Sequence, residues 1–279
     1  MRKAWETYAI FPLPMELAVI SVVRNEEDII ESSVRNALRF AEHMSILLHK
    51  STDATASILF RLRAEGLALT ITATEEPYHR QGERMTTLMR ETVNRFAPQW
   101  ILPLDADEFP CSSGKAFPDI LKTLPRDRVT LLPWRTSIPT PDDDPAVPLP
   151  MRLTHRRPSE PEQYSKILIP LALAREEGAA VALGSHALTR NKNGQAYPVY
   201  TDHPLWIAHL PVRSEKQLRR KIVLGWEEHR SDPRRRPQEI YQWEHLYERC
   251  LDPTPISPEE LQKIAMDYAV PSFLTPSSP

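Results

Sequence analysis

Between residues 17 and 104, short β-branched apolar runs alternate with longer stretches whose apolar positions recur every three or four residues. Leu17-Ala18-Val19-Ile20-Ser21-Val22-Val23 has the pattern of a strand buried on both faces. It stops at Arg24-Asn25-Glu26-Glu27-Asp28, where Asn25 suits an N-cap and the acids suit the positive end of a helix dipole. Ile29, Ile30, Val34, Ala37, Leu38 and Ala41 then follow at helical spacing. The unit repeats in a strand over 45–49, with Asp53 placed to cap a helix that carries Ile58, Leu59 and Leu62 and closes at Gly66. A strand over 67–72, a helix from about Gln81 to Phe96 and a strand over 100–104 complete the series. Strands alternating with helices imply right-handed crossovers and a mostly parallel sheet, whose ligands bind beyond the carboxyl ends of the strands. Those ends carry Arg24 with Asn25, Lys50 with Asp53, Glu75 with Glu76, and Asp105 with Asp107.

After Phe109 the periodicity weakens. A helix over 117–124 and a strand over 129–134 lead into 133–150, where six prolines mark an irregular loop long enough to act as a lid or acceptor-side loop. Further strands are expected over 166–169, 179–183 and 204–210, with a hairpin turn at Asn191-Lys192-Asn193-Gly194. Ser214-Glu215-Lys216-Gln217 and Ser257-Pro258-Glu259-Glu260 read as capping boxes. Ile240, Trp243, Leu246, Tyr247 and Cys250 share one helical face, and a Ser/Pro tail at 275–279 is expected to fray.

Composition removes several classes of function. A formal charge of -2 over 279 residues gives no reason to expect a nucleic-acid partner. Only 7 glycines are present, and none falls as G-x-G-x-x-G or as a Walker loop, so a bound nucleotide would not use either glycine cradle. Two cysteines without a Cys-x-x-Cys pair fit a reducing compartment. The start has no signal-like apolar core and no later run is long enough to cross a bilayer, so a soluble, cytoplasmic protein is expected.

The run 100–104 ends at Asp105-Ala106-Asp107-Glu108. Residues i and i+2 of an extended chain point the same way, so Asp105 and Asp107 are expected to converge, and converging carboxylates repel unless they share a proton or hold a cation. A hard divalent ion bound by carboxylates and substrate phosphates answers that geometry, and a plain acidic turn answers the sequence equally well.

Val22 to Glu27, then Ser51-Thr52-Asp53-Ala54-Thr55, then 100–109, together resemble the successive signatures of glycosyltransferase family 2-like proteins, in the branch whose acidic motif reads Asp-x-Asp-Glu-Phe. Lys166, Gly184-Ser185-His186, and His209 through Glu215 continue the likeness, followed by Lys221 and Gly225. The resemblance spans roughly residues 17 to 226 and rests on the order of several short motifs. It implies an α/β fold of GT-A type, a Rossmann-like, mostly parallel sheet flanked by helices with a C-terminal helical extension. The domain would cover 1–212, with a nucleotide-sugar half at 1–135 and an acceptor half at 136–212, and the extension and tail 213–279. The implied chemistry is inverting transfer from a nucleotide sugar, a UDP-sugar first among them, with Mg²⁺ or Mn²⁺ on the Asp-x-Asp pair. Arg24, Asn25, Asp53 and Asp105 resemble donor contacts; Asp105, Asp107 and His209 resemble the metal site. Two departures stand out. Ala54 replaces the usual glycine, and the Glu-Asp pair that supplies the family's base has no match between Asp107 and His209.

Sugar transfer needs a base for the acceptor hydroxyl and cationic charge for the departing diphosphate. His186, after a glycine at a strand end, is the preferred base, with Asp142, Asp143, Asp144 and Glu176 as rivals. Lys166 and Arg213 are candidate phosphate contacts. Arg219-Arg220-Lys221 and Arg234-Arg235-Arg236 read as solvated helix faces or as a basic patch for peripheral contact with an anionic membrane, where a lipid-linked acceptor would lie. The first reading is a metal-dependent glycosyltransferase acting on a polysaccharide or glycolipid. An inactive GT-A module that binds nucleotide sugar or glycan is the alternative. A phosphatase-type enzyme is disfavoured, because its Asp-x-Asp would follow the first strand.

Overall fold

The computed structural model describes residues 15–78, 80–160, 164–190, 195–236 and 239–270. The expected turn at 191–194 and tail at 275–279 lie outside them. In chain order the elements are β1 (Leu17–Val23), α1 (Ile30–Ala37), β2 (His43–His49), α2 (Thr55–Ala64), β3 (Leu69–Thr74), α3 (Gln81–Phe96), β4 (Trp100–Pro103) and β5 (Glu108–Ser112). They continue as α4 (Phe117–Leu121), β6 (Val129–Thr136), β7 (Ser165–Pro170), α5 (Leu171–Ala174), β8 (Ala180–Val181), β9 (Leu188–Arg190), β10 (Gln195–Ala196), β11 (Val199–Tyr200) and β12 (Leu205–His209). Three helices end the series, α6 (Glu215–Ser231), α7 (Tyr241–Leu251) and α8 (Pro258–Asp267).

The main sheet runs β3-β2-β1-β4-β7-β6-β12-β5, with β11 joined to β6. β1, β2, β3 and β4 are parallel, as the alternation of strands and helices requires. β7 is antiparallel to β4 and β6, and β12 is parallel to β6 but antiparallel to β5. The sheet is therefore mixed and mostly parallel, with helices on both faces, the α/β class expected from the sequence.

Side-chain alternation along β1 assigns the two faces. Leu17, Val19 and Val23 pack with Ile30 and Val34 of α1 and Leu59 and Leu62 of α2. Ile20 points the other way, against Met85, Leu88 and Met89 of α3. A third buried cluster joins α6, α7 and α8 through Leu218, Ile222, Trp226, Trp243 and Tyr247.

The helix ends follow their sequence signals in most cases. Gly66, at φ +95, closes α2 in a Schellman arrangement, with Leu67 N donating to Leu62 O and Gly66 N to Arg63 O. Ser214 and Ser257 cap α6 and α8 by accepting from Gln217 N and Glu260 N. Asn25 corrects its expectation. It is not the α1 cap; it takes a left-handed φ of 54 and accepts from Thr52 N at 2.8 Å, tying the end of β1 to the loop after β2. Glu108–Ser112 forms a strand where none is expected, and the expected strand over 179–183 shortens to Ala180–Val181 before the turn at Gly184.

Gly225 marks where α6 meets α7, since a Cβ there would lie 2.5 Å from the Trp243 ring. Gly225→Ala is expected to lower stability by about 1–3 kcal/mol through overpacking. Thermal unfolding of the variant checks this, and an unchanged midpoint would contradict the tight crossing.

Candidate active site

A cleft of about 380 Å³ opens beyond the carboxyl ends of β1, β2 and β4. Its walls include Arg24, Asn25 and Glu26 after β1, His49 at the end of β2, Gln81 and Arg84 from α3, and Asp105 and Asp107 after β4. His186, His209, Trp134 and Tyr164 close another side, and Arg220, Lys221 and Tyr241 come from the C-terminal helices.

The Asp-x-Asp pair sits on a turn rather than on extended strand, because Glu108 N donates to Asp105 O at 3.2 Å and the chain reverses there. The convergence expected from i and i+2 of a strand is therefore replaced by two separate sets of partners. Asp105 accepts from Gln81 Nε2 at 2.6 Å and from Lys166 Nζ at 2.7 Å. Asp107 accepts from Lys221 Nζ at 2.8 Å, and Arg213 Nη1 lies 3.5 Å away. Burial alone would push the Asp107 carboxyl up, but Lys221, with His209 and Arg213, holds it well below the usual carboxylate range.

Lys166 is fully buried and also donates to Gly184 O at 2.7 Å, with Glu108 Oε2 at 3.1 Å. Glu108 in turn accepts from Asp105 N and Trp134 Nε1, both at 2.9 Å. Burial works against the charge on Lys166, but Asp105 and Glu108 hold its pKa above the ordinary value. Burial pushes the Glu108 carboxyl up to about 8 against the pull of Lys166. Gln81 closes the ring by accepting from Gly184 N at 2.8 Å. Gly184 has φ +73, and a Cβ there would lie 2.5 Å from His186 Nε2. Glycine is thus demanded twice, by the backbone turn and by the imidazole.

His186 Nδ1 donates to Ser165 O at 2.9 Å, which leaves Nε2 with its lone pair. Burial, with Lys166 beside it, pushes the imidazole down to about 4, so the ring is neutral at pH 7. Its ring meets Trp134 edge-on at 4.9 Å, and Trp134 also stacks on Tyr164 at 5.2 Å and on His209 at 3.9 Å. His209 Nδ1 lies 3.5 Å from Thr136 Oγ1, and burial drives its pKa well below the usual histidine value.

The structure brings Arg24, Asn25, Asp105, Asp107, His186 and His209 to one cleft, and leaves Asp53, Lys166 and Arg213 behind its walls. Asp53 receives Thr55 N at 2.9 Å and pairs with Arg220 at 2.9 Å. Arg213 is fully buried, joined to Asp28 at 2.9 Å and Glu26 at 2.6 Å. Among the rival bases, Asp143 is turned back on Thr140, Asp144 on Ala146 and Glu176 on Tyr197; none of these, nor Asp142, lines the cleft. The loop that carries the acidic run is pinned to α1 where Ser32 Oγ donates to Leu149 O at 2.9 Å.

Sequence reasoning missed Gln81 and Arg84 as cleft residues. The available signal was that Arg84 lies four residues before Leu88 on the buried stripe of α3, where an arginine has to be explained. Arg219, Arg220 and Lys221 are matched inside the chain, to Glu215, to Glu27 and Asp53, and to Asp107. Among the described residues no helix is long and apolar enough to cross a membrane.

The donor set does not fit a divalent ion as it stands. Both Asp105 oxygens are engaged, Asp107 faces two fixed cations, and among the described residues no three His, Cys, Asp or Glu side chains gather as metal ligands.

No protein-family model matches the chain, and no curated protein matches it. Among solved structures it is similar to Staphylococcus aureus TarS, with 15% identity and a TM-score of 0.42 over 85% of this chain and 71% of that one. It is similar to GalNAc-T7, solved with UDP, GalNAc and Mn²⁺, with 11% identity and a TM-score of 0.43 over 76% of this chain and 48% of that one. It is also similar to the mannosyltransferase PcManGT from Pyrobaculum calidifontis, solved with GDP-Man and Mn²⁺, with 13% identity and a TM-score of 0.41 over 95% and 76%. Likenesses at this level carry no weight on substrate or mechanism.

Proposed function

We propose that this protein transfers a sugar from a nucleotide-sugar donor, a UDP-sugar first among them, to a hydroxyl of a polysaccharide or glycolipid acceptor, with inversion at the sugar carbon. The observation that carries this reading is the single cleft at the carboxyl ends of β1, β2 and β4, which holds cationic groups and an aromatic wall together. Cations suit a diphosphate, and aromatic faces suit the apolar side of a sugar ring. The donor would occupy the half formed by residues 1–135, and residues 136–212 would present the acceptor. In a single displacement the acceptor oxygen bonds to the sugar carbon as the bond to the diphosphate breaks, and His186 Nε2 takes the acceptor proton.

The Mg²⁺ or Mn²⁺ expected from the sequence on Asp105, Asp107 and His209 does not fit the partners those carboxylates have, and the transfer is derived without it. A second reading, a module that binds nucleotide sugar without turnover, is favoured by one observation: the hydrogen-bond partner of His186 is a backbone carbonyl and not a carboxylate, and Asp105 favours its charged form less than burial opposes it. Release of nucleoside diphosphate from a nucleotide-sugar panel, with and without glycan acceptors, separates the two. Acceptor-dependent release supports transfer. Saturable binding with no release of any donor would replace it by the binding module.

A further inference from the structure

The cleft already contains the positive charge that a diphosphate needs. Arg24, Arg84, Arg220 and Lys221 line it against three carboxylates, Glu26, Asp105 and Asp107. Three of these cations are paired, Arg24 to Glu228, Arg220 to Glu27 and Asp53, and Lys221 to Asp107. Arg84 is different. It is only 7% exposed, its guanidinium donates to the carbonyls of Tyr78, Glu76 and Pro77 at 2.8, 3.0 and 3.2 Å, and its Nε has no hydrogen-bond partner. Among the described residues no carboxylate forms an ion pair with it, and its charge is held at the cleft by backbone carbonyls, with Glu76, Glu228 and Glu83 acting on it only at longer range. An anion is the ligand that such a buried, fixed charge suits.

Lys221 stands where the sequence leads one to look for a metal. Its ammonium is 2.8 Å from Asp107 Oδ2, with Arg213 on the same oxygen at 3.5 Å. It has three donors, of which Asp107 takes one. A divalent ion on that oxygen would have to expel Lys221, and an ion anywhere on the carboxylate would stand close to both Lys221 and Arg213, the second held in place by Glu26 and Asp28.

We propose that the donor diphosphate is bound by protein cations, Lys221 and Arg84, without a divalent ion on Asp105 and Asp107. This rests on the glycosyl-transfer reading above and assigns Lys221 the charge-neutralising role at the leaving group. Asp107 orients the lysine, and Asp105 is committed to the Gln81 and Lys166 network.

Calorimetric titration of the full chain with the common nucleoside diphosphates, in excess EDTA and again with Mn²⁺, tests the proposal. The expected result is the same affinity in both buffers for one of them, together with no binding of Mn²⁺ alone. Lys221→Gln should weaken that affinity about tenfold or more, the scale of a lost charge-assisted hydrogen bond. Lys221→Arg should retain most of it, and Arg84→Gln should weaken it to a similar degree if the variant keeps its thermal midpoint. Binding that appears only with Mn²⁺ and is lost in Asp107→Asn would overturn the proposal and leave glycosyl transfer standing. Failure of every nucleoside diphosphate to bind in either buffer would instead remove the glycosyl-transfer reading. The EDTA arm uses unaltered protein, so a variant that does not fold leaves the result decisive.

Discussion

Lys166→Met is expected to cost about 3–5 kcal/mol, the scale measured when one partner of a buried ion pair is removed. The ammonium is wholly buried and is shared by Asp105, Glu108 and the Gly184 carbonyl. Methionine fills the space of the aliphatic stem but leaves two carboxyl groups facing each other and a carbonyl without its donor. Domains of this kind are stable by only about 5–15 kcal/mol, so the loss should be plain in urea unfolding followed by tryptophan fluorescence. Pairing Lys166→Met with Asp105→Asn should recover part of the loss, since the carboxylate that lost its ammonium is then gone, while the Glu108 carboxyl, pushed up to about 8, already holds a proton at pH 7. A single variant within 1 kcal/mol of the parent, on the roughly ±0.5 kcal/mol scale of surface changes, would mean that the Lys166 ion pairs do not hold the site together. The same experiment separates a structural lysine from a phosphate contact. A lysine that only touched phosphate would alter donor affinity and leave stability alone.

Much of the first half of the sheet was legible because its signals are local. The run Leu17–Val23, the helix Gln81–Phe96 and the glycine at 66 each declare themselves in hydrophobic period or turn chemistry, and the structure places them as read. The second half was less legible. β5 begins at Glu108, an ionisable residue whose buried carboxyl is met by the nearby Asp105 amide and, from distant parts of the chain, by Trp134 and Lys166. No local pattern announces such a strand. The same reason explains Asp105 and Asp107. Their spacing is visible, but the turn that separates their partners depends on Leu210 N donating to Asp107 O and on Lys221, more than a hundred residues away. Lys166 and Arg213 were read as candidate phosphate contacts, and their full burial behind the cleft wall could not be foreseen, since burial is a property of the fold and not of the residue. The motif Gly184-Ser185-His186 acquired its meaning from two contacts, Lys166 on the glycine carbonyl and the imidazole ring packed where a Cβ would stand.

His186→Ala is expected to lower kcat by roughly 100- to 10,000-fold while donor affinity stays close to that of the parent. Nδ1 is committed to the Ser165 carbonyl, so Nε2 is the atom left to take a proton, and the ring lines the cleft beside Trp134. Because burial holds the imidazole at about 4, against 6.5 for an ordinary histidine, the acid limb of the kcat profile should fall near 4. The linked stability effect has a definite sign. Above 6.5 neither the folded nor the unfolded form of this residue is protonated, and the residue contributes no pH dependence. As pH falls from 6.5 to about 4 the unfolded chain takes up a proton that the folded site refuses, so stability is lost across that window. His186→Ala should flatten that part of the stability curve. Gly184→Ala provides a separate check, because its methyl would enter 2.5 Å from Nε2 and displace the ring without removing it. An intermediate loss of kcat in Gly184→Ala and a large one in His186→Ala place the proton at Nε2. Near-normal turnover in His186→Ala would rule that imidazole out as the base, and with every rival carboxylate outside the cleft, a base would then have to come from the acceptor, from His49 or His209, or from Glu26. Burial pushes the Glu26 carboxyl up to about 7, and it is the remaining cleft-lining acid outside the Asp-x-Asp pair among the described residues.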